Sequence, residues 1–217
     1  MECASAHTRA QAEGAIDSLA SADADTPLGI VPLQERALTR LPAPTRARFL
    51  TRLAGRLDEA FMAPSVVPAQ ESDEDTSSTS TESILARGCA MCRGACCTRG
   101  SDHAFLGADS LARVRCVHPA HNAESLLATY SVHLPTEHFA DSCVYHAESG
   151  CALPRALRSN TCNRYRCGGL TELRRALESS GHPLAFIGAS DNESLRAFAL
   201  AAASELRPID LTAAHDP

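Results

Sequence analysis

The sequence predicts a mainly α-helical chain with an irregular, metal-stapled, cysteine-rich centre, and a small α+β arrangement is the alternative. Three observations predict it. Apolar residues recur at helical spacing on either side of a central segment. That segment carries nine of the 10 cysteines among many glycines, and aromatic residues are only 4% of the chain. Hydrophobic residues, 44% of 217, suffice for a core. A core built mostly from Ala, Leu and Val buries little area per side chain, which makes a metal staple more valuable.

Residues 1–32 are rich in Ala, Ser and Asp, show little periodicity, and read as a loose or marginally helical tail. From Pro44 to Phe61, Phe49, Leu50, Leu53, Leu57 and Phe61 recur at three- and four-residue steps. Arg46, Arg48, Arg52, Arg56 and Asp58 take the opposite side, so the stretch reads as an amphipathic helix closed by Pro64. Its apolar face is expected to pack on the rest of the protein. Residues 1–69 thus form a tail and a helix. Gln70–Ser83, reading QESDEDTSSTSTES, has no apolar residue with which to offset ordering entropy, and reads as an acidic, Ser/Thr-rich linker over residues 70–83.

Residues 84–170 are expected to form the cysteine-cluster domain. Helices of a turn or two over Asp109–Arg115 and Ala123–Thr129 and an extended piece at Ser142–His146 are its expected regular structure. Residues 171–217 are expected to add a helical segment packed on that domain. Leu170, Leu173 and Leu177 mark a helix ending near Gly181, and the run LAFIG within His182–Ala189 reads as a strand. Ser190 and Glu193 then form a capping box, opening a helix through Leu195, Phe198, Leu200 and Ala202 to Leu206, ahead of Pro208.

Net charge of −6 and a pI near 5.8 give no attraction to phosphate backbones, so nucleic acid is not an expected partner. All 20 basic residues are arginine. The absence of lysine removes Schiff-base chemistry, a P-loop lysine and Ser-Lys dyads from consideration, and no enzyme motif is present. Met1–Ala20 lacks a signal peptide's basic start and apolar run, and Ala197–Ala203, the most apolar stretch, is too short to span a bilayer. The expectation is a soluble cytoplasmic protein with no membrane contact. Thiols stay reduced in that compartment, so the cysteines point to metal or catalysis before disulfides.

Two blocks carry that chemistry. The first is Cys89-Ala-Met-Cys92-Arg-Gly-Ala-Cys96-Cys97, and the second, about 45 residues on, holds Cys143, Cys151, Cys162 and Cys167. A Cys-x-x-Cys turn wraps one ion while its backbone donates to the sulfurs, and two such blocks brought together close a small domain around metal. Eight thiols exceed one tetrahedral ion, so either two sites exist or some thiols are buried or redox-active. Adjacent Cys96 and Cys97 point their side chains apart and suit different ions or faces. Arg87, Arg93, Arg99, Arg155, Arg158, Arg164 and Arg166 lie close in sequence, where a cation would favour the thiolate. Lone Cys116 and N-terminal Cys3 fall outside the ligand set. Of the histidines among the cysteines, His146, three residues after Cys143, is the first to test as a ligand, whereas Pro119 breaks any helical pairing of His118 with His121.

These residues resemble the YkgJ-like cysteine-cluster family, a zinc- or iron-chelating domain. That family opens on Cys-x-x-Cys followed by a Cys-Cys pair and closes on Arg-Pro-x-x-Cys-Arg-x-aromatic-x-Cys. Here the opening is CAMCRGACC and the closing segment is RSNTCNRYRC, with Arg158, Cys162, Tyr165 and Cys167 on the motif positions. Three residues rather than two precede the Cys-Cys pair, and Ser159 stands where proline is usual. The resemblance covers roughly residues 86–170 and implies metal binding without implying a reaction.

The expected function is therefore a cysteine-cluster protein that binds zinc or iron, the iron as an ion or an iron–sulfur cluster. The metal ligands are Cys89, Cys92, Cys96, Cys97, Cys143, Cys151, Cys162 and Cys167. Two alternatives stand beside it: thiol–disulfide exchange at Cys96-Cys97 and Cys89/Cys92, and a metal-cluster module accessory to a methyltransferase. A structural zinc module docking a protein partner is not separable from the first reading by sequence.

Overall fold

The computed structural model describes residues 5–19, 23, 25–63, 78–191 and 193–211. In chain order the elements begin with α1 (Ala6–Asp17), β1 (Leu28–Pro32), β2 (Leu38–Arg40), α2 (Ala43–Met62) and α3 (Thr79–Met91). There follow α4 (Ala108–Val117), α5 (Ala123–Val132), β3 (Glu137–Phe139), β4 (His146–Ala147) and β5 (Gly150–Cys151). The chain continues through α6 (Asn160–Arg164), α7 (Gly168–Ser180), β6 (Leu184–Ser190), β7 (Leu195–Ala202) and β8 (Leu206–Ile209). The architecture is α+β with a small mixed sheet.

The chain divides into two compact units, and neither is continuous in sequence. The first draws on Met1–Glu35, Asp75–Ala95 and Arg166–Pro217, the second on Arg36–Glu74 and Cys96–Tyr165. The expected cysteine domain, residues 84–170, therefore contributes to both units.

In the first unit the strand order is β1-β6-β7-β8, with β1 parallel to β6 and the remaining neighbours antiparallel. Successive residues of a strand face opposite sides of the sheet, and the core divides accordingly. Val31 and Ile187 join Ile84, Leu85, Leu170, Leu173 and Leu177 on the face covered by α3 and α7. Ile30, Phe186 and Phe198 meet Ala12 and Ala15 of α1 on the other. With helices on both faces, β6 is a nearly continuous apolar run, which is why LAFIG was legible as a strand.

Three expectations fail in this unit. Residues 190–206 are not a helix: β7 and β8 occupy that stretch, and Asp191 decides the matter locally. Its Oδ1 accepts from the backbone N–H of Glu193 (3.0 Å) and Ser194 (2.9 Å), closing a turn between β6 and β7, while the Ser190 hydroxyl contacts Thr8 instead of capping a helix. Within residues 1–32, α1 is a regular helix buried along one side and β1 a strand buried on both faces, so that stretch is more than the loose or marginally helical tail expected. The linker also ends early, because Ser78 accepts from the Thr81 N–H at 3.1 Å and starts α3. The rest of the expected linker, residues 70–77, and Cys3 lie outside the described residues. The α7 reading holds: its apolar stripe is buried, and Gly181 ends it at φ 66°.

In the second unit α2, α4 and α5 share a core of Phe49, Leu53, Leu57, Leu111, Val114, Leu126 and Tyr130. The expected helices over 44–61, 109–115 and 123–129 all form and extend slightly further. Tyr145 anchors the cysteine loop to this core: its ring meets Phe49 edge-on at 5.3 Å. Its hydroxyl donates to the Tyr130 carbonyl, and the Tyr130 hydroxyl donates to the Leu157 carbonyl, each at 2.9 Å. The expected extended piece at Ser142–His146 is confined to its last residue, where β4 begins. Among the described residues no helix is long and apolar enough to cross a membrane.

Candidate metal centre

Cys96 and Cys97 sit on a 3₁₀ helix over Ala95–Gly100, with their thiols close enough to hydrogen-bond each other. The loop carrying Cys143 comes back against it. The Cys143 N–H donates to the Cys97 carbonyl at 3.1 Å, and the Val144 N–H to the Ser101 carbonyl at 3.0 Å. Gly100 makes this approach possible, because a Cβ built there would stand 2.8 Å from the Cβ of Cys143 and 3.1 Å from its sulfur. Ser101, Ala104 and Phe105 all adopt positive φ between 39° and 54°, backbone that non-glycine residues seldom hold without cause.

Cys151 ends the hairpin of β4 and β5, directly opposite His146 in register. Arg158 fixes this edge by donating to the Leu153 carbonyl at 2.8 Å and the Cys151 carbonyl at 3.3 Å. Cys162 lies on α6, capped by Ser159, whose hydroxyl oxygen accepts from the Cys162 N–H at 3.0 Å. Ser159 therefore works as the N-cap of α6.

Electrostatics ties these thiols together. Cys97 donates a hydrogen bond to the Cys96 sulfur, and this, aided by local backbone N–H groups, pulls the Cys96 thiol down to about 7 against the opposing effect of burial. Cys97 moves up in turn, first because it is that donor, then through burial and the proximity of Cys96, Cys143 and Cys151. Burial pushes Cys143 up to about 12, reinforced by Cys151, Cys162 and Cys96. Partial burial likewise raises Cys162, with Cys151 and Cys96 adding to it and the Ser159 hydroxyl and Arg158 opposing it. Cys96, Cys97, Cys143, Cys151 and Cys162 are thus one interacting set, all in the second unit and all free thiols.

The pair makes a measurable statement. In the reduced, metal-free protein, alkylation of Cys96 by iodoacetamide should reach half its limiting rate near pH 7, rising with pH as the thiolate forms. Cys97→Ala removes the donor and should move that midpoint up towards about 8.5, read by mass spectrometry of the labelled peptide.

The other three thiols belong to the first unit. Cys89 is exposed near the end of α3, Cys92 caps that helix, and Cys167 sits at the N-cap of α7. Cys92 and Cys167 share one buried cluster, and the Cys92 sulfur accepts from the Ala95 N–H at 3.3 Å. Among the described residues no group of three or more His, Cys, Asp or Glu side chains converges in a form that could hold an ion. Two of the seven arginines close in sequence to the cysteines are engaged elsewhere: Arg87 donates to the carbonyls of Ala202 and Ala203, and Arg166 pairs with Glu82. His146 is buried with its Nδ1 2.7 Å from the Ser142 hydroxyl. Gly100, Ser142 and Ser159 are contributors that sequence reasoning passed over. Of these, only Ser159, three residues before Cys162, carried a readable capping signal.

No family model matches the chain, and neither a curated protein nor a solved structure matches it.

Proposed function

We propose that this chain binds zinc or iron through cysteine thiolates, with Cys96, Cys97, Cys143, Cys151 and Cys162 as its principal ligands. The observation that carries the reading is that the thiols of Cys96, Cys97, Cys143 and Cys162 are shifted by their neighbours in this set, Cys151 among those neighbours, although the five come from four separate segments of one unit. A set of neutral thiols so packed gains nothing from proximity, whereas a soft cation neutralises the mutual repulsion of their anions. Thiolate donors suit zinc and iron–sulfur centres alike. Closing them on an ion asks for side-chain rotamer changes, chiefly at exposed Cys162 and half-exposed Cys96, Cys97 and Cys151. Cys89, Cys92 and Cys167 remain in the proposal as a second group. The resemblance of CAMCRGACC and RSNTCNRYRC to the YkgJ-like family supports the same reading.

A second reading has an observation of its own. The Cys96 thiolate beside the Cys97 thiol is the pairing that thiol–disulfide exchange uses. Anaerobic purification followed by metal analysis and a visible spectrum separates the two. Stoichiometric iron with broad visible absorption, or zinc without colour, is the expected result. A folded, fully reduced protein that retains neither metal and binds neither on titration would sink the metal reading in favour of exchange.

A further inference from the structure

His118 and His121 come together although the proline between them breaks helical pairing. Four residues, His118-Pro119-Ala120-His121, form a turn closed by the His121 N–H donating to the His118 carbonyl at 3.0 Å. Both ends are held. The His118 N–H donates to the Val114 carbonyl as the C-cap of α4, and the next residue, Asn122, caps α5 in a reciprocal capping box with Ser125. The rings lie with centroids 5.8 Å apart and planes at 73°. Nε2 of His118 and Nδ1 of His121 are each shielded from solvent and have no hydrogen-bond partner. One buried imidazole nitrogen without a partner is a blemish, whereas two on neighbouring rings in one clamped turn point to a shared ligand.

We infer that His118 and His121 form a site for a divalent transition-metal ion, zinc being the probe, separate from the cysteines. Distance supports it. With zinc–nitrogen bonds of about 2.1 Å, two imidazoles on one tetrahedral ion place their centroids roughly 5 Å apart, within about an ångström of the observed 5.8 Å. Imidazole is a ligand common to zinc, nickel and copper. Since no third His, Cys, Asp or Glu converges among the described residues, the two imidazoles are its side-chain ligands, and the ion exchanges readily. The site uses no thiol and stands whether or not the cysteines bind metal.

The test uses full-length reduced protein labelled with ¹⁵N-histidine, titrated with zinc alone while the ring nitrogens are followed by NMR. Nε2 of His118 and Nδ1 of His121 should shift together, with one midpoint. His121→Ala should weaken the His118 response by about tenfold or more, and His118→Ala should do the same to His121. Should either variant lose its fold, the shared midpoint in the unmodified protein decides alone. Independent midpoints, which would mean two unlinked sites, or rings unmoved at excess zinc would overturn the site.

Discussion

Gly169→Ala should destabilise the protein by about 3 kcal/mol, at the upper end of what overpacking costs. Gly169 lies in the first turn of α7, where the helix meets β1 so closely that a Cβ would overlap the Ile30 carbonyl oxygen and stand 2.8 Å from its carbon. Both partners are backbone, so no side chain can rotate away. Ile30 is held in register opposite Gly188 in the parallel pairing of β1 with β6, and the neighbouring turns of α7 bury Leu170 and Leu173. Relief would have to lift the helix off the sheet or pull β1 from its partner, and either exposes the core that those residues share. The expected fall in melting temperature is roughly 6–12 °C for a chain of this size, read by circular dichroism. Gly55→Ala is the control: Gly55 is inside α2, and a Cβ there meets nothing within 4 Å. It should leave stability unchanged or raise it by up to about 1 kcal/mol, because alanine restricts the unfolded chain.

That glycine shows where sequence reading succeeds and where it stops. Helices whose own residues carry the periodic stripe, α2, α4, α5 and α7, were legible because their burial faces a core that each stripe anticipates. β1 was not. Its five residues, LGIVP, include a glycine and end on proline, and only pairing with β6, far along the chain, makes them a strand. The error over residues 190–206 has a related cause. Leu195 and Phe198 lie three apart and satisfy a helical spacing, but Asp191 turns the chain back onto β6 and the pairing takes precedence over local periodicity. At the candidate centre, spacing identified the cysteines as a set. It could not divide them between two units assembled from interleaved segments, because unit boundaries follow long-range contacts. Nor could it assign Gly100 its part, since the residue Gly100 accommodates is 43 positions further on.

Gly100→Ala should strip metal from a protein that still carries every thiol. The new methyl would press on Cys143, 2.8 Å from its Cβ and 3.1 Å from its sulfur. Cys143 cannot retreat as a loop residue might: its N–H is bonded to the Cys97 carbonyl, the next N–H to the Ser101 carbonyl, and Tyr145 is anchored in the core two residues on. The accessible relief is to turn the Cys143 sulfur away from the remaining thiols, and that breaks a ligand set while sparing the scaffold. The expected cost in stability is about 1–3 kcal/mol, whereas metal affinity should fall about 10–100-fold or more. Cys143→Ser should match it, and Cys116→Ser, whose thiol stands outside the interacting set, should keep the full metal content. The measurement is metal per chain after anaerobic purification and a chelator wash, with unfolding curves to confirm that each variant is folded. Undiminished metal in both Gly100→Ala and Cys143→Ser would exclude Cys143 as a ligand and move the centre towards Cys89, Cys92 and Cys167, the thiols of the other unit.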